Sequence, residues 1–177
     1  MLKLYTISAF TENTIGLLNR ITIIFTRRRI NIESLSVSET ERSGISRFTI
    51  VVKTDRETTE KLVKNIRKII EVLAVFAYEN HSLVYNEMAL YKFAFEKPET
   101  KTLLESLANE HKARVVFTEK NILIIEKSGT EEEIYAFFHI VKPYGILEFV
   151  RSGRIALTKF EKGLSEYLPK AEWTYHI

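Results

Sequence analysis

The sequence predicts an α+β chain made of two tandem ferredoxin-like halves, each running βαββαβ. Three observations predict it. Strand-like alternation and helix-like spacing follow one another in that order over the first eighty residues. The same order recurs in the second eighty. Turn residues such as Glu41-Arg42-Ser43-Gly44 and Pro143-Tyr144-Gly145 separate the segments.

The first strand is expected over Leu4 to Phe10, with Tyr5, Ile7 and Ala9 on one face. A helix follows from Ile15 to Arg28, its stripe formed by Leu18, Ile21 and Phe25 with Leu17 and Ile24 beside them. Asn31 to Ser38 reads as a second strand. Its apolar parity changes between Ile32 and Leu35, which suggests a bulge. Phe48, Ile50 and Val52 alternate in a third strand, closing a hairpin. Thr54-Asp55 offers a cap for a second helix. That helix buries Leu62, Ile66, Ile69 and Ile70 and turns Lys61, Lys64, Arg67 and Lys68 to water. Leu73, Val75 and Ala77 mark the fourth strand.

In the second half, Met88 to Phe95 is a strand and Thr100 to His111 a helix burying Leu103, Leu104 and Leu107. Arg114 to Thr118 and Ile122 to Glu126 form a hairpin. Glu131 to Lys142 is a helix with Ile134, Phe137, Phe138 and Val141 inward, stopped by Pro143 and Gly145. Ile146 to Val150 and Ile155 to Leu157 supply closing strands around Arg151-Ser152-Gly153. The expected domains are 1–80 and 81–160, followed by a tail, 161–177, that either docks on the body or is partly disordered.

Composition narrows the class. The hydrophobic fraction of 45% and charged fraction of 28% suit a soluble globular protein with a sizeable core. There are no cysteines, so disulfides and cysteine metal sites are excluded, and a reducing compartment fits. No signal peptide opens the chain and no apolar run nears the roughly 18 residues that span a bilayer, so a cytoplasmic location is expected. A net charge of +3 does not single out a nucleic-acid binder. Arg27-Arg28-Arg29 reads as a phosphate patch or as cations at a helix C-terminus, and the helix dipole favours the second reading.

Catalytic patterns are missing. His81, His111, His139 and His176 are too far apart in sequence to form a local metal pair. There is no Gly-x-Ser-x-Gly elbow, phosphate loop or dinucleotide fingerprint. What is present is the turn Thr11 to Gly16. Asn13 carries both a donor and an acceptor, so it can meet a carboxylate and an ammonium together. The N–H groups around Ile15, Gly16 and Leu17 head a helix and favour an anionic group. Gly16 lets a ligand or second chain approach the backbone. Asn31 could add a contact, and Ile15, Leu17, Leu18 and Ile32 an aliphatic wall. On the residues alone, the alternative stays open that Asn13 or Thr14 caps the helix and Gly16 relieves crowding.

The segment Glu12-Asn13-x-x-Gly16-x-Leu18-x-Arg20, followed by Asn31-Ile32-Glu33-Ser34-Leu35, resembles the N-terminal ACT domain of the acetolactate synthase (acetohydroxyacid synthase) small regulatory subunit family. Ser46-Arg47-Phe48-Thr49-Ile50 and Arg151-Ser152-Gly153 are similar to that family too. The resemblance covers about residues 2 to 158. It implies a non-catalytic subunit that activates a large partner and mediates feedback inhibition, with valine the expected effector. It implies that the partner, not this chain, carries thiamine diphosphate, Mg and FAD. It implies a homodimer whose effector sites lie between two ACT domains, contacted by Asn13, Gly16 and Asn31. One departure stands out: Arg29 occupies the position where the family commonly has a glycine suited to a left-handed helix stop, so the turn is expected to differ there. A stand-alone amino-acid sensor gating another partner, and a small enzyme on a ferredoxin-like scaffold, are the alternatives.

Overall fold

The computed structural model describes residues 1–160 and Glu166, so the expectation for the tail lies outside the described residues. The strands are β1 (Lys3–Glu12), β2 (Ser34–Glu39), β3 (Ile45–Thr54), β4 (Val72–Glu79), β5 (Leu83–Ala94), β6 (Arg114–Glu119), β7 (Ile122–Gly129), β8 (Ile146–Arg151) and β9 (Ile155–Thr158). The helices are α1 (Leu17–Thr26), α2 (Arg56–Ile66), α3 (Pro98–Glu110) and α4 (Glu131–Val141). The chain forms two compact units. One holds Met1–Val84 together with the described residues from Arg154 onward, and the other is Tyr85–Gly153. The boundaries expected from sequence assign 154–160 to the second domain, whereas these residues group with the first unit.

The first unit is an antiparallel sheet in the order β2-β3-β1-β4. Tyr5, Ile7 and Ala9 of β1 face α1 and α2 and pack with Ile21, Phe25, Ile50, Leu62 and Val75. Each fully buried Ile, Leu or Phe contributes about 1.5–3 kcal/mol relative to exposure. Three expectations are corrected here. The stripe of α1 is Leu17, Ile21 and Phe25, while Leu18 is 47% exposed. Ile70 lies beyond the end of α2 and is 94% exposed. Residues 31–33 precede β2, so the parity change after Ile32 marks the approach to a strand and not a bulge within it. The Asp55 cap forms as expected: its carboxylate accepts from the Thr58 N–H and hydroxyl. Those bonds, the backbone one foremost, hold its pKa below the ordinary carboxylate value.

The opposite face of this sheet is polar at Thr6, Ser8 and Thr49, all buried. Residues 154–156 lie against it. Arg154 is 2% exposed; its Nη1 donates to Thr6 Oγ1 at 3.2 Å and Asn80 Oδ1 at 3.0 Å, and its N–H to Ser34 Oγ at 3.0 Å. Arg47 Nη2 donates to Ser8 Oγ and to the Ala156 carbonyl. Buried hydroxyls thus have partners, as burial requires.

The second unit repeats the topology, with its sheet ordered β6-β7-β5-β8. Tyr91, Phe93, Leu104, Leu123, Ile125, Ile134 and Phe137 form its core. The Tyr91 hydroxyl donates to the Ile134 carbonyl at 2.7 Å, and burial pushes its pKa well up. Thr130 and Glu133 make a reciprocal capping box on α4. α3 starts two residues earlier than Thr100 because Pro98 suits its first turn. Its buried pair is Leu104 and Ala108, and Leu103 is exposed. Arg151 bridges Glu87 at 3.2 Å and Glu131 at 2.8 Å, and Ser152 exchanges hydrogen bonds with the Met88 backbone.

The first helix of each unit ends alike. Ile30 N–H bonds Phe25 C=O and Arg29 N–H bonds Thr26 C=O, while Arg29 sits at φ 55°. Ala113 N–H bonds Ala108 C=O and Lys112 N–H bonds Asn109 C=O, with Lys112 at φ 53°. Both are Schellman stops with a basic residue where glycine is usual. The expectation that Arg29 alters the turn is therefore corrected: the left-handed stop forms without glycine, at a local cost of about 1–2 kcal/mol. Arg29→Gly is expected to raise thermal stability by about 1 kcal/mol, a shift of about 2–4 °C in Tm by calorimetry, with the fold unchanged.

Candidate functional site

The turn after β1 is fixed from three sides. Glu12 N–H donates to the Glu71 carbonyl at 2.9 Å, Asn13 N–H to the Gly44 carbonyl at 2.9 Å and Thr14 N–H to the Glu12 carbonyl at 3.1 Å. Arg20, one turn into α1, forms an ion pair with the Glu71 side chain. That hydrogen bond is the main reason the Glu71 carboxyl is held below its ordinary pKa. Glu71 therefore anchors both the strand end and the helix start. Nothing in the periodicity marked it, because its two partners are 51 and 59 positions away in sequence.

Gly16 is the residue that enters α1, at φ 82° and ψ −4°, and no side chain caps the helix. Neither Asn13 nor Thr14 therefore serves as the cap. Nor does Gly16 relieve crowding: a Cβ there would meet nothing within 4 Å. Glycine is favoured by the left-handed backbone, which costs other residues about 1–2 kcal/mol. Because α1 starts at Leu17, the helix-heading donors are the N–H groups of Leu17 to Asn19, slightly later than expected; the Leu17 N–H reaches Thr14 O only at a long 3.4 Å. Asn13 and Gly16 are both exposed. Ile15 is fully exposed and Leu18 half-exposed, whereas Leu17 is 2% exposed and belongs to the core instead of an aliphatic wall.

Asn31 is exposed, and its Nδ2 approaches Glu33 Oε1 at a long 3.4 Å. It does not share a pocket with Asn13. β2 runs from Ser34, opposite Val51, to Glu39, opposite Ser46, and Ile45 lies opposite Glu12. Asn13 and Gly16 thus sit at one end of the sheet and Asn31 at the other. The ten residues of α1 between them span about 15 Å. One amino acid cannot bridge that gap within a single chain.

Ser46 to Ile50 form the middle of the sheet, and Arg47 binds the 154–156 segment. Arg151 and Ser152 hold the edge of the second unit's sheet through Glu87, Glu131 and the Met88 backbone. Among the described residues no cluster of His, Asp or Glu could hold a metal ion. Among the described residues no helix is long and apolar enough to cross a membrane.

Comparisons with known proteins agree with this arrangement. Residues 7–74 match the family description "AHAS small subunit-like ACT domain", and residues 86–160 match "Small subunit of acetolactate synthase". A probable acetolactate synthase small subunit from Archaeoglobus fulgidus is 37% identical over 158 residues, covering 89% of this chain and 98% of that protein. The acetolactate synthase small subunit of Bacillus subtilis is 38% identical over 148 residues, covering 83% and 86%. The crystal structure of the acetolactate synthase small subunit from Thermotoga maritima superposes with a TM-score of 0.82 at 28% identity, covering 90% and 99%.

Glu71 carries a pH test. Its folded-state pKa is depressed, so the stability contributed by the Arg20 pair is present above the unfolded carboxyl value of 4.5 and is lost as pH falls through the lower folded value. Tm measured for the parent chain and for Glu71→Gln should differ near neutrality and converge below about pH 4.

Proposed function

The chain belongs to the acetolactate synthase small-subunit family and is a regulatory, non-catalytic subunit of that enzyme; from this we propose that it is a homodimeric amino-acid switch that activates its large catalytic subunit and confers inhibition by valine. The thiamine diphosphate, Mg and FAD belong to that large subunit in this reading. The observation that carries the switch is the separation of Asn13 and Gly16 from Asn31 by the length of α1. A ligand that uses all three needs two chains. β2 is the edge strand on that side of the sheet. If two β2 edges pair antiparallel about a two-fold axis, the Glu39 end of one meets the Ser34 end of the other. That brings the Asn13–Gly16 turn of one protomer toward Asn31 of its partner.

The chemistry suits a free amino acid. The N–H groups of Leu17 to Asn19 and the left-handed Gly16 favour the α-carboxylate. The two asparagine amides can satisfy the ammonium and the second carboxylate oxygen. Half-exposed Leu18 and Ile32 offer a short aliphatic side chain an apolar neighbour. Binding across the two-fold axis stabilises one arrangement of the dimer. The effector then acts through its difference in affinity between arrangements, typically about 1–3 kcal/mol of coupling.

Two measurements test this. Mixing the chain with its large subunit should raise the rate of acetolactate formation from pyruvate, and valine should lower it again; an unchanged rate in both arms rejects the reading. Asn13→Ala should weaken valine binding by calorimetry at least tenfold, in line with the roughly 1.5–3 kcal/mol of a hydrogen bond to a charged group. Its Tm should stay within about 1 °C, because the side chain caps no helix.

A further inference from the structure

We propose that the open edge of β4, with the groove that α2 forms beside it, is the docking site for an extended, acidic and apolar segment of the large catalytic subunit, which adds to the sheet as a strand. This rests on the family reading, which supplies the partner, and it assigns that partner a surface distinct from the amino-acid site.

Among the described residues, the hydrogen-bond parity of the sheet leaves this edge open. Glu33 N–H donates to the Val51 carbonyl, so Val51 faces β2 and its even-numbered neighbours in β3 face β1. Val52, Ile50 and Phe48 therefore bond Tyr5, Ile7 and Ala9. Thr6, Ser8 and Phe10 consequently turn to β4, where they meet Tyr78, Phe76 and Ala74. The backbone groups of Val75 and Ala77 point away from the sheet. The Val75 carbonyl confirms the direction, since it accepts from Arg67 Nη2 of the α2 terminus at 3.2 Å.

An open edge of this composition is unusual. Natural sheets protect edges with charges, prolines or bulges. Register shifts occur in the pairings of the edge strands β4, β6 and β8, but β6 and β8 also carry charged residues within the strand. β4 holds no proline and its one charge, Glu79, sits at the strand end and pairs with Lys3, so Val72 to Tyr78 is an uncharged and strongly β-forming run. Such a strand is an aggregation hazard unless something pairs with it.

The surroundings say what kind of segment pairs. A groove of about 390 Å³ runs along the strand, lined on the helix side by Glu60, Val63, Lys64 and Arg67 and on the strand side by Val75 and Ala77. Its floor takes apolar side chains. Its rim is basic on balance: Glu60 is paired with Arg56, Arg67 is held by the Val75 carbonyl, and among the described residues no carboxylate pairs with Lys64 or with Lys68 just beyond the end of α2. A strand with alternate apolar side chains and a carboxylate near Lys64 meets both features, which is the pattern of strand addition. A second copy is the weaker candidate, because in the dimer proposed above the two copies pair through β2, at the other edge.

Hydrogen exchange of the full-length chain, alone and mixed with the large subunit, reads the edge directly. The amides of Val75 and Ala77 should exchange at least tenfold more slowly in the complex. Ala77→Pro, which removes an outward N–H and leaves the β1 ladder intact, should weaken large-subunit binding at least tenfold, and so should the double variant Lys64→Glu and Lys68→Glu. All variants should keep parental Tm within a few degrees and unchanged valine binding. A complex that forms with both amides unaltered, or variants that bind within twofold of the parent, overturns the site alone. Amides already protected in the isolated chain overturn it in favour of a second copy or of residues 161–177. A parent chain that does not bind the large subunit overturns the partner reading and this site with it.

Discussion

Strand β1 is hydrogen-bonded on both edges and buried on both faces, and the rest of the first unit is arranged around that constraint. Its odd-numbered residues bond β3 and its even-numbered residues bond β4. The same parity sends Tyr5, Ile7 and Ala9 toward the helices and Thr6 and Ser8 toward the opposite face. A central strand with two buried faces can carry polar side chains only if each finds a partner. Here the polar groups are kept and matched, with Arg154 and Arg47 supplying donors to the hydroxyls of Thr6 and Ser8. Removing either guanidinium would leave a buried hydroxyl without a partner, which costs more than the bond itself contributes.

From that strand follows the geometry of regulation. β1 ends at Glu12, and the turn after it is held by Glu71 and Gly44, so Asn13 and Gly16 are presented at one end of the sheet. α1 then carries the chain back along the sheet, and Asn31 emerges at the other end. In the dimer proposed above, a site divided in this way would respond to the arrangement of two chains and not only to ligand concentration. That is the physical requirement for an effector that must differ in affinity between two states. The second unit has the same topology and the same left-handed stop at its first helix, but its Arg151 is spent on Glu87 and Glu131 and its turn after β5 carries no matching asparagine. Shared fold therefore carries no shared site.

Much of this was legible in the residues. The element order, the faces of β1 and β3, the Asp55 cap and the α4 core follow from period and capping chemistry, which act over a few neighbouring residues. The misreadings share one cause. Leu18 and Leu103 stand next to the buried positions Leu17 and Leu104 and flank the stripe, and Ile70 lies beyond the end of α2, so all three face solvent. Spacing defines a stripe without defining its edges. Arg29 was misjudged for a different reason: a left-handed residue was expected to need glycine, yet Ile30 packs against the core beside Phe25 and holds the stop in place.

The sequence by itself determined the two βαββαβ halves, the lack of catalytic constellations and the paired asparagine motifs that tie the chain to its family. These depend on local periodicity and on residue types at short spacing. Only the tertiary structure decided that Asn13 and Asn31 stand apart, that Glu71 anchors the turn, that residues 154–156 belong with the first unit and that β4 ends the strand order of its sheet. Each of these depends on strand pairings or contacts between segments well separated in sequence, in the longest case about 150 residues apart. Strand order and hydrogen-bond parity set those contacts, and neither is written in any short stretch of chain.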